Sequence, residues 1–256
     1  MLSPSIYRWF YDHIHCRYYD LVMRWCFLPF GGERRCRRQL LTSVLWSESE
    51  CILELCCGTG GATQSIVAAA SRGLAYRGLA SRGLADSRLA NGCEMGCGDG
   101  CRFIGLDQSV GQLRYAARKT DLASVVLVAG DAARVCFPDG SFDKVIITHA
   151  LHEMMHSQRL RVLREAWRVL RDGGEVVILE LDRPPGWLWR QFVAFWLFYW
   201  LPFNFETPTR RDMIRHGLTN EVAATGFQEV RKISYGGGAL QTVKGKKVPV
   251  APVSVH

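Results

Sequence analysis

The sequence predicts an α/β fold, a mostly parallel sheet with helices on both faces. Two observations carry this. After residue 50, short apolar runs recur at 51–56, 103–106, 125–129, 144–148 and 175–181, each followed by a polar or glycine-rich turn and then a helical stretch. Unbroken apolar runs are what strands buried on both faces require, and parallel neighbours need crossover helices between them. Near the C-terminus, runs 227–234 and 239–245 flank Gly236-Gly237-Gly238, a spacing suited to an antiparallel hairpin.

Composition fits this class. Hydrophobic residues are 48% and charged residues 22%, which excludes general disorder. A chain of 256 residues holds one large domain of this kind or two small ones. The net charge of +8 suits an anionic cofactor, anionic lipid or nucleic acid, and equally a solvated surface. No run reaches the ~20 apolar residues of a membrane span. Residues 1–20 mix charge with aromatics and lack the apolar core of a secretory signal. The ten cysteines are too sparse for a disulfide scaffold, so a cytoplasmic protein with reduced thiols is expected.

In chain order, residues 1–47 read as helical. Apolar and aromatic residues recur at helical spacing from Tyr7 to Trp25, Phe30-Gly31-Gly32 breaks the pattern, and the basic stretch 34–38 opens another helix. The strongest helical signal is 157–171, with Leu160, Leu163, Trp167 and Leu170 on one face and Gly173 as its stop. Residues 71–90 repeat a pentapeptide, a period that matches neither helix nor strand nor a solenoid unit. The span 71–101 is read as a low-complexity surface insertion, and 246–256 as a flexible tail.

The chemistry is concentrated in Ile52 to Gly61. An apolar strand ends in a glycine-rich turn, and a helix begins near Ala62. Glycines let backbone approach a ligand, and a helix N-terminus offers free N–H groups. A pyrophosphate-binding turn would carry a glycine where Thr63 stands, and Glu54 at the strand end would repel phosphate but suit an ammonium group. Asp107, at the tip of the next strand, suits a ribose diol. Asp131, after the third, could accept from an adenine amine. An amine-bearing nucleoside without phosphates is S-adenosylmethionine.

The segments ELCCGTG, FIGLDQS, LVAGDAARVCFPDGSFDKVIITHALHEM and LREAWRVLRDGGEVVILELDRP, in this order, resemble class I S-adenosylmethionine-dependent methyltransferases. More narrowly, they resemble the ubiquinone/menaquinone-biosynthesis C-methyltransferase family. Phe10-Tyr11-Asp12, Arg17-Tyr18-Tyr19-Asp20-Leu21, Ala223-Ala224-Thr225-Gly226-Phe227 and Gly238-Ala239-Leu240 are similar to that family's opening and closing segments. The resemblance implies a Rossmann-like seven-stranded sheet with an antiparallel last strand. An N-terminal helical cover (1–47) would precede a methyltransferase domain (48–245). It implies that Glu54 binds the methionine ammonium, directly or through water, over a loop of Cys57, Gly58, Thr59 and Gly60. Asp107 would take the ribose hydroxyls with Gln108 beside it, and Asp131 and Ala132 would flank the adenine. Thr148 and His149 would end the fourth strand near the reactive methyl, with Tyr19 in the cover.

Three departures stand out. Cys56 replaces a small residue of the usual loop. The insertion stretches the Glu54–Asp107 separation to 53 residues. The linker between Pro202 and Thr207 is short, which leaves acceptor identity open.

His149 and His152 are the candidate catalytic bases, because a histidine near its free pKa of ~6.5 accepts a proton from a phenol or enol. His156 reads as helix decoration. Cys93, Cys97 and Cys101 fit neither zinc nor iron–sulfur spacing, so no metal is expected. The aromatic segment 187–203 is too short to span a bilayer and reads as a buried helix, an acceptor-pocket wall, a homodimer contact or a peripheral membrane contact. The expected partner is a small-molecule acceptor, apolar or lipid-like, with quinone-type carbon methylation first. Small-molecule or phospholipid N- or O-methylation, or cofactor binding without catalysis, remain alternatives. The absence of an Asn-Pro-Pro-Tyr-like motif argues against nucleic acid.

Overall fold

A computed structural model of the chain describes residues 9, 11–46, 50–75, 89–90, 103–119, 125–200 and 207–249. A π-helical turn, Tyr11–His15, leads into α1 (Cys16–Cys26), a short 3-10 turn and α2 (Glu33–Thr42). Then come β1 (Ile52–Leu55), α3 (Gly61–Ala75), β2 (Leu89–Ala90), β3 (Phe103–Asp107), α4 (Val110–Ala116), β4 (Val126–Ala129) and β5 (Phe142–Thr148). α5 (His156–Val169), β6 (Leu170–Leu181), α6 (Trp187–Trp200), α7 (Thr207–His216), α8 (Leu218–Ala224), β7 (Gln228–Tyr235) and β8 (Leu240–Lys246) complete it.

The sheet order is β2-β4-β3-β1-β5-β6-β8-β7. The last strand, β8, runs antiparallel to both of its neighbours, and the other pairings are parallel. The seven expected strands are present, and β2 adds two residues at one edge. The ends of the pentapeptide repeat are absorbed into α3 and β2, while the rest of it, and the cysteines at 93, 97 and 101, lie outside the described residues.

Adjacent residues of one strand feed opposite faces. Leu53, Leu55, Val145, Ile147, Val176 and Ile178 join α5 and α8 in one core; Ile52, Ile146, Val177 and Leu179 join the N-terminal helices and α6 in another. This period-two split is why the strands read as unbroken apolar runs.

Several boundaries shift. α5 stops at Val169, because Leu170 is already extended (φ −71°, ψ 141°) and pairs with Phe142. Gly173, at φ +83°, therefore turns a strand rather than ending a helix. Order also passes the expected domain end: Lys247 is buried, its Nζ donating to the Leu170 carbonyl at 2.7 Å over the Trp167 ring. Cys51 is disulfide-bonded, whereas Cys16, Cys26, Cys36, Cys56, Cys57 and Cys136 are free thiols. A bridge depends on two sulfurs meeting in space, which cysteine spacing alone does not show. Among the described residues, no helix is long and apolar enough to cross a membrane.

Candidate active site

Strand register builds one rim at the carboxyl end of the sheet. Leu55 pairs with Leu106 on one side and Ile147 on the other, so the residues that follow, Cys56, Asp107 and Thr148, lie side by side. Asp107 pairs with Ala129 and Thr148 with Leu179, which brings the 130–132 turn and Glu180 to the same rim.

The glycine-rich turn and the second-strand acid are one unit. Cys56, Gly58 and Gly60 have φ of +59°, +56° and +74°. A Cβ on Gly58 would lie 2.7 Å from Gln112 Oε1. The Gly58 N–H donates to Asp107 Oδ2 and the Ser109 N–H to Oδ1, each at 2.8 Å. Burial pushes the Asp107 carboxyl above its ordinary value against the pull of these donors. Each oxygen keeps a second lone pair, so the carboxylate can still accept from a diol. The Asp131 carboxylate accepts from the Ala133 N–H at 2.8 Å, exposed beside buried Ala132. Cys57 donates its N–H to Leu106, and Gly60 donates to Cys57.

Glu54 lies beneath this turn, 2% exposed. Its carboxylate accepts from the hydroxyls of Thr63 (2.5 Å) and Thr148 (3.1 Å). Burial raises it to about 7, with the two threonines pulling the other way. A buried carboxylate held by neutral donors alone suits a cationic group nearby. Thr148, not Glu54, reaches the cavity wall, so the contact expected for an ammonium runs through that hydroxyl or a water.

His149 carries backbone strain, with φ +48°, of the kind that clusters at functional sites. Its N–H donates to the Leu179 carbonyl at 2.8 Å, and its ring lies 4.9 Å from that of Phe27. Burial drops its pKa to about 4, which corrects the expectation of a near-free histidine. His152 points elsewhere: its Nδ1 meets the buried Glu180 carboxylate at 2.5 Å and it lines neither part of the cleft. His156 stacks on His216 and contacts Glu221, a carboxylate that buried Arg159 already grips through two nitrogens.

The cleft has two lobes that share Tyr19, Cys56 and His149. One is lined by Gly58, Asp107, Gln108, Asp131 and Ala132. The other is lined by Met23, Phe27, Arg37, Thr148 and Leu179. The cleft as a whole fits S-adenosylmethionine: the first lobe offers an acid able to accept from a diol beside a glycine turn, and the second offers Thr148 with a buried carboxylate behind it. The first lobe measures about 90 Å³, small beside the roughly 300–1,000 Å³ of ligand pockets, and continues into the second through Tyr19, Cys56 and His149.

Two cover residues were not singled out from the sequence. Asp12 Oδ1 accepts from the Ser109 hydroxyl (2.5 Å) and the Gly111 N–H (3.1 Å). Asp20 accepts from the Thr59 hydroxyl (2.7 Å) and pairs with Lys119 at 3.0 Å. Both lie in the opening segments 10–12 and 17–21, yet only the fold reveals that they clamp the cover over the turn. Arg37, ion-paired with Glu33 at the second lobe, was also missed.

The aromatic helix is divided. Trp189 donates to the Gly236 carbonyl at 3.1 Å and meets Phe30 edge-on, and Val193 is buried. Trp187, Leu188, Phe192 and Phe195 are exposed. Among the described residues, none of α6 lines either lobe beside His149.

A family model described as a methyltransferase domain matches residues 83–178. An uncharacterized methyltransferase of Synechocystis is 30% identical over 233 residues, covering 89% of this chain and 90% of its own. A demethylmenaquinone methyltransferase of Listeria welshimeri is 32% identical over 160 residues, 56% of this chain and 66% of its own length. Among solved structures, a SAM-dependent methyltransferase of Thermotoga maritima, described as a possible histamine N-methyltransferase, superposes with a TM-score of 0.56 at 19% identity, over 93% of this chain and 99% of its own.

Proposed function

This chain belongs to the class I S-adenosylmethionine-dependent methyltransferases, and from that premise we propose that its acceptor is a small apolar molecule held in the lobe of Met23, Phe27 and Leu179. The cofactor, S-adenosyl-L-methionine, supplies an activated methyl group when bound. The residues of the chain hold and orient. Asp107 takes the ribose hydroxyls with Gln108 beside it. Asp131 and Ala132 flank the adenine. Residues 57–60, Thr148 over Glu54, and Tyr19 from the cover enclose the methionine end.

The observation that carries the acceptor reading is that His149 belongs to both lobes, with Phe27 against its ring. At neutral pH the ring is uncharged, so its bare nitrogen accepts a hydrogen bond from an acceptor hydroxyl and turns the nucleophile toward the methyl. Should that proton cross, the nearby Glu180 charge favours it on the ring. The apolar wall and the relatives named for demethylmenaquinone favour a quinol ring carbon.

The test is transfer of labelled methyl, in detergent, to a demethylated isoprenoid quinol, with histamine and phosphatidylethanolamine alongside. Label on the quinol ring carbon is expected. Label on the amines instead would replace carbon with nitrogen chemistry. His149→Ala should lower turnover with little change in S-adenosylhomocysteine affinity, and turnover should show no histidine break near pH ~6.5.

The apolar face of α6, with exposed Tyr18, Leu21 and Trp25 of α1, supports contact with the membrane that stores such an acceptor. Liposome flotation, run beside sedimentation equilibrium, separates this from a homodimer.

A further inference from the structure

A separate cavity of about 630 Å³ opens between α6, α7 and the end of β6, a size typical of small-molecule sites. Five guanidinium groups line it: Arg183 from the turn after β6, Arg190 from α6, and Arg210, Arg211 and Arg215 from α7. The carboxylate among its described lining residues, Asp182, is engaged by Lys232 at 2.6 Å. Asp212, on the same helix as three of the arginines, faces buried Arg159 at 3.0 Å and His216 at 3.4 Å. Arg183, Arg190, Arg211 and Arg215 make no ion pair among the described residues. Like charges converging on one concavity repel, and an anion placed between them relieves that repulsion.

The cavity is not purely polar. Leu181, Val193 and Ile214 line it beneath the exposed arginines 183, 211 and 215. Beside it, α6 leaves Leu188 and Phe195 75% and 61% exposed. Leu181 lies two residues past Leu179 on one face of β6, so this cavity adjoins the apolar lobe of the cleft.

We propose that this cavity binds the anionic head, a phosphate or carboxylate, of an amphiphile whose apolar part lies against α6. Planar guanidinium forks match both heads in two-point hydrogen bonding. The proposal goes beyond the acceptor reading and needs only the arginines and the apolar walls. The head can belong to a soluble amphiphile or to a bilayer lipid, and the chemistry of recognition is the same.

The probe is decyl phosphate below its micelle concentration, titrated calorimetrically into the full chain, with uncharged decyl maltoside as comparator. Decyl phosphate should bind in preference to the maltoside, more weakly as salt rises, with inorganic phosphate competing. Arg190→Ala with Arg211→Ala should weaken it about tenfold or more. Arg161→Ala with Arg164→Ala, exposed on α5 and outside the cavity, should not. S-adenosylhomocysteine titrated into each variant reports the fold and the cofactor site separately. If the alanine pair loses that affinity too, Arg190→Lys with Arg211→Lys must restore both.

Phosphatidylglycerol vesicles, set against phosphatidylcholine, identify the source. Arginine-dependent vesicle binding assigns a bilayer headgroup, and binding of decyl phosphate alone assigns a soluble amphiphile. Equal binding of the maltoside, indifference to the cavity arginines, or an equal loss from the α5 pair would each overturn the proposal.

Discussion

The cofactor rim and the arginine cavity stand at the same end of the sheet and are built in opposite ways. On the rim, Glu54 and Asp107 are buried and held by neutral donors: two threonine hydroxyls on Glu54, two backbone N–H groups on Asp107. Around the cavity the charges are positive and carried on long side chains, and the described carboxylates nearby, Asp182 and Asp212, are engaged by Lys232 and Arg159. The rim is therefore arranged before any ligand arrives, whereas Arg183, Arg190, Arg211 and Arg215 have no ion-pair partner among the described residues to fix them. Preorganisation holds strain and buried charge in the fold, as Cys56, His149 and Glu54 show. Exposed arginines cost the fold little, and their pairings are weak until desolvated.

The largest expected effect tests the rim. Asp107→Ala strips the acceptor from both Gly58 and Ser109 and removes the proposed partner of the ribose. A loss of about 2–4 kcal/mol in S-adenosylhomocysteine affinity should follow. Unchanged affinity by calorimetry would dissolve the contrast, because the buried acid would then be structural.

Next comes Glu54. Its folded value of about 7 lies above the ordinary 4.5, so its contribution to stability is full below about 4.5 and disappears as pH rises through 7. At about 1.36 kcal/mol per pKa unit this amounts to roughly 3 kcal/mol. Glu54→Gln is neutral throughout, so its melting temperature should exceed that of the wild type at about pH 8 and match it at about pH 4. If Glu54 is the proposed counter-charge of the ammonium, affinity for S-adenosylmethionine should fall as well. Parallel pH–stability curves for the two proteins would show that Glu54 carries no buried-charge penalty.

The cover offers a smaller effect. Asp12→Ala removes the acceptor of the Ser109 hydroxyl and the Gly111 N–H, worth about 1–2 kcal/mol. A Cβ at Gly111 would lie 2.2 Å from the Asp12 carbonyl oxygen, so Gly111→Ala should push the cover away. Both should speed S-adenosylhomocysteine release in stopped-flow experiments and leave the sheet intact by circular dichroism. Unaltered release would show that the ligand leaves without the cover moving.

The same contrast separates what the sequence disclosed from what it did not. The rim was legible because it is local: strand, turn and helix follow one another from Ile52 to Thr63, and Asp107 ends an apolar run. The antiparallel β7–β8 pair followed from its glycine turn. Asp12 and Asp20 were not legible as clamps, since their partners, Ser109, Gly111, Thr59 and Lys119, are remote in sequence. The pKa of His149 depends on burial under Phe27 and Leu179 that no local pattern encodes. The arginine cavity draws on three segments, none of them basic enough to stand out alone. α6 showed its aromatics plainly, but not which face the fold would cover.

That face sets the smallest prediction. Phe192 is 43% exposed and stacks on Trp189 and Trp196 with centroids 5.2 and 6.2 Å away. Trp189 is held independently by its bond to Gly236. Phe192→Ala should therefore lose only part of an aromatic pairing, under about 1 kcal/mol. Val193, the adjacent residue, is 7% exposed and faces the core of Phe27, Phe30 and Leu179. Val193→Ala should cost about 1–2 kcal/mol. Chemical denaturation of the two variants measures the difference directly, and an unchanged denaturant slope confirms that the unfolding itself is the same. If Phe192→Ala proved as damaging as Val193→Ala, the outer face of α6 would be part of the fold's own core and not free to meet a lipid tail. A small loss of stability, together with weaker flotation on phosphatidylglycerol vesicles, would instead place Phe192 among the groups that the fold leaves for a ligand to cover.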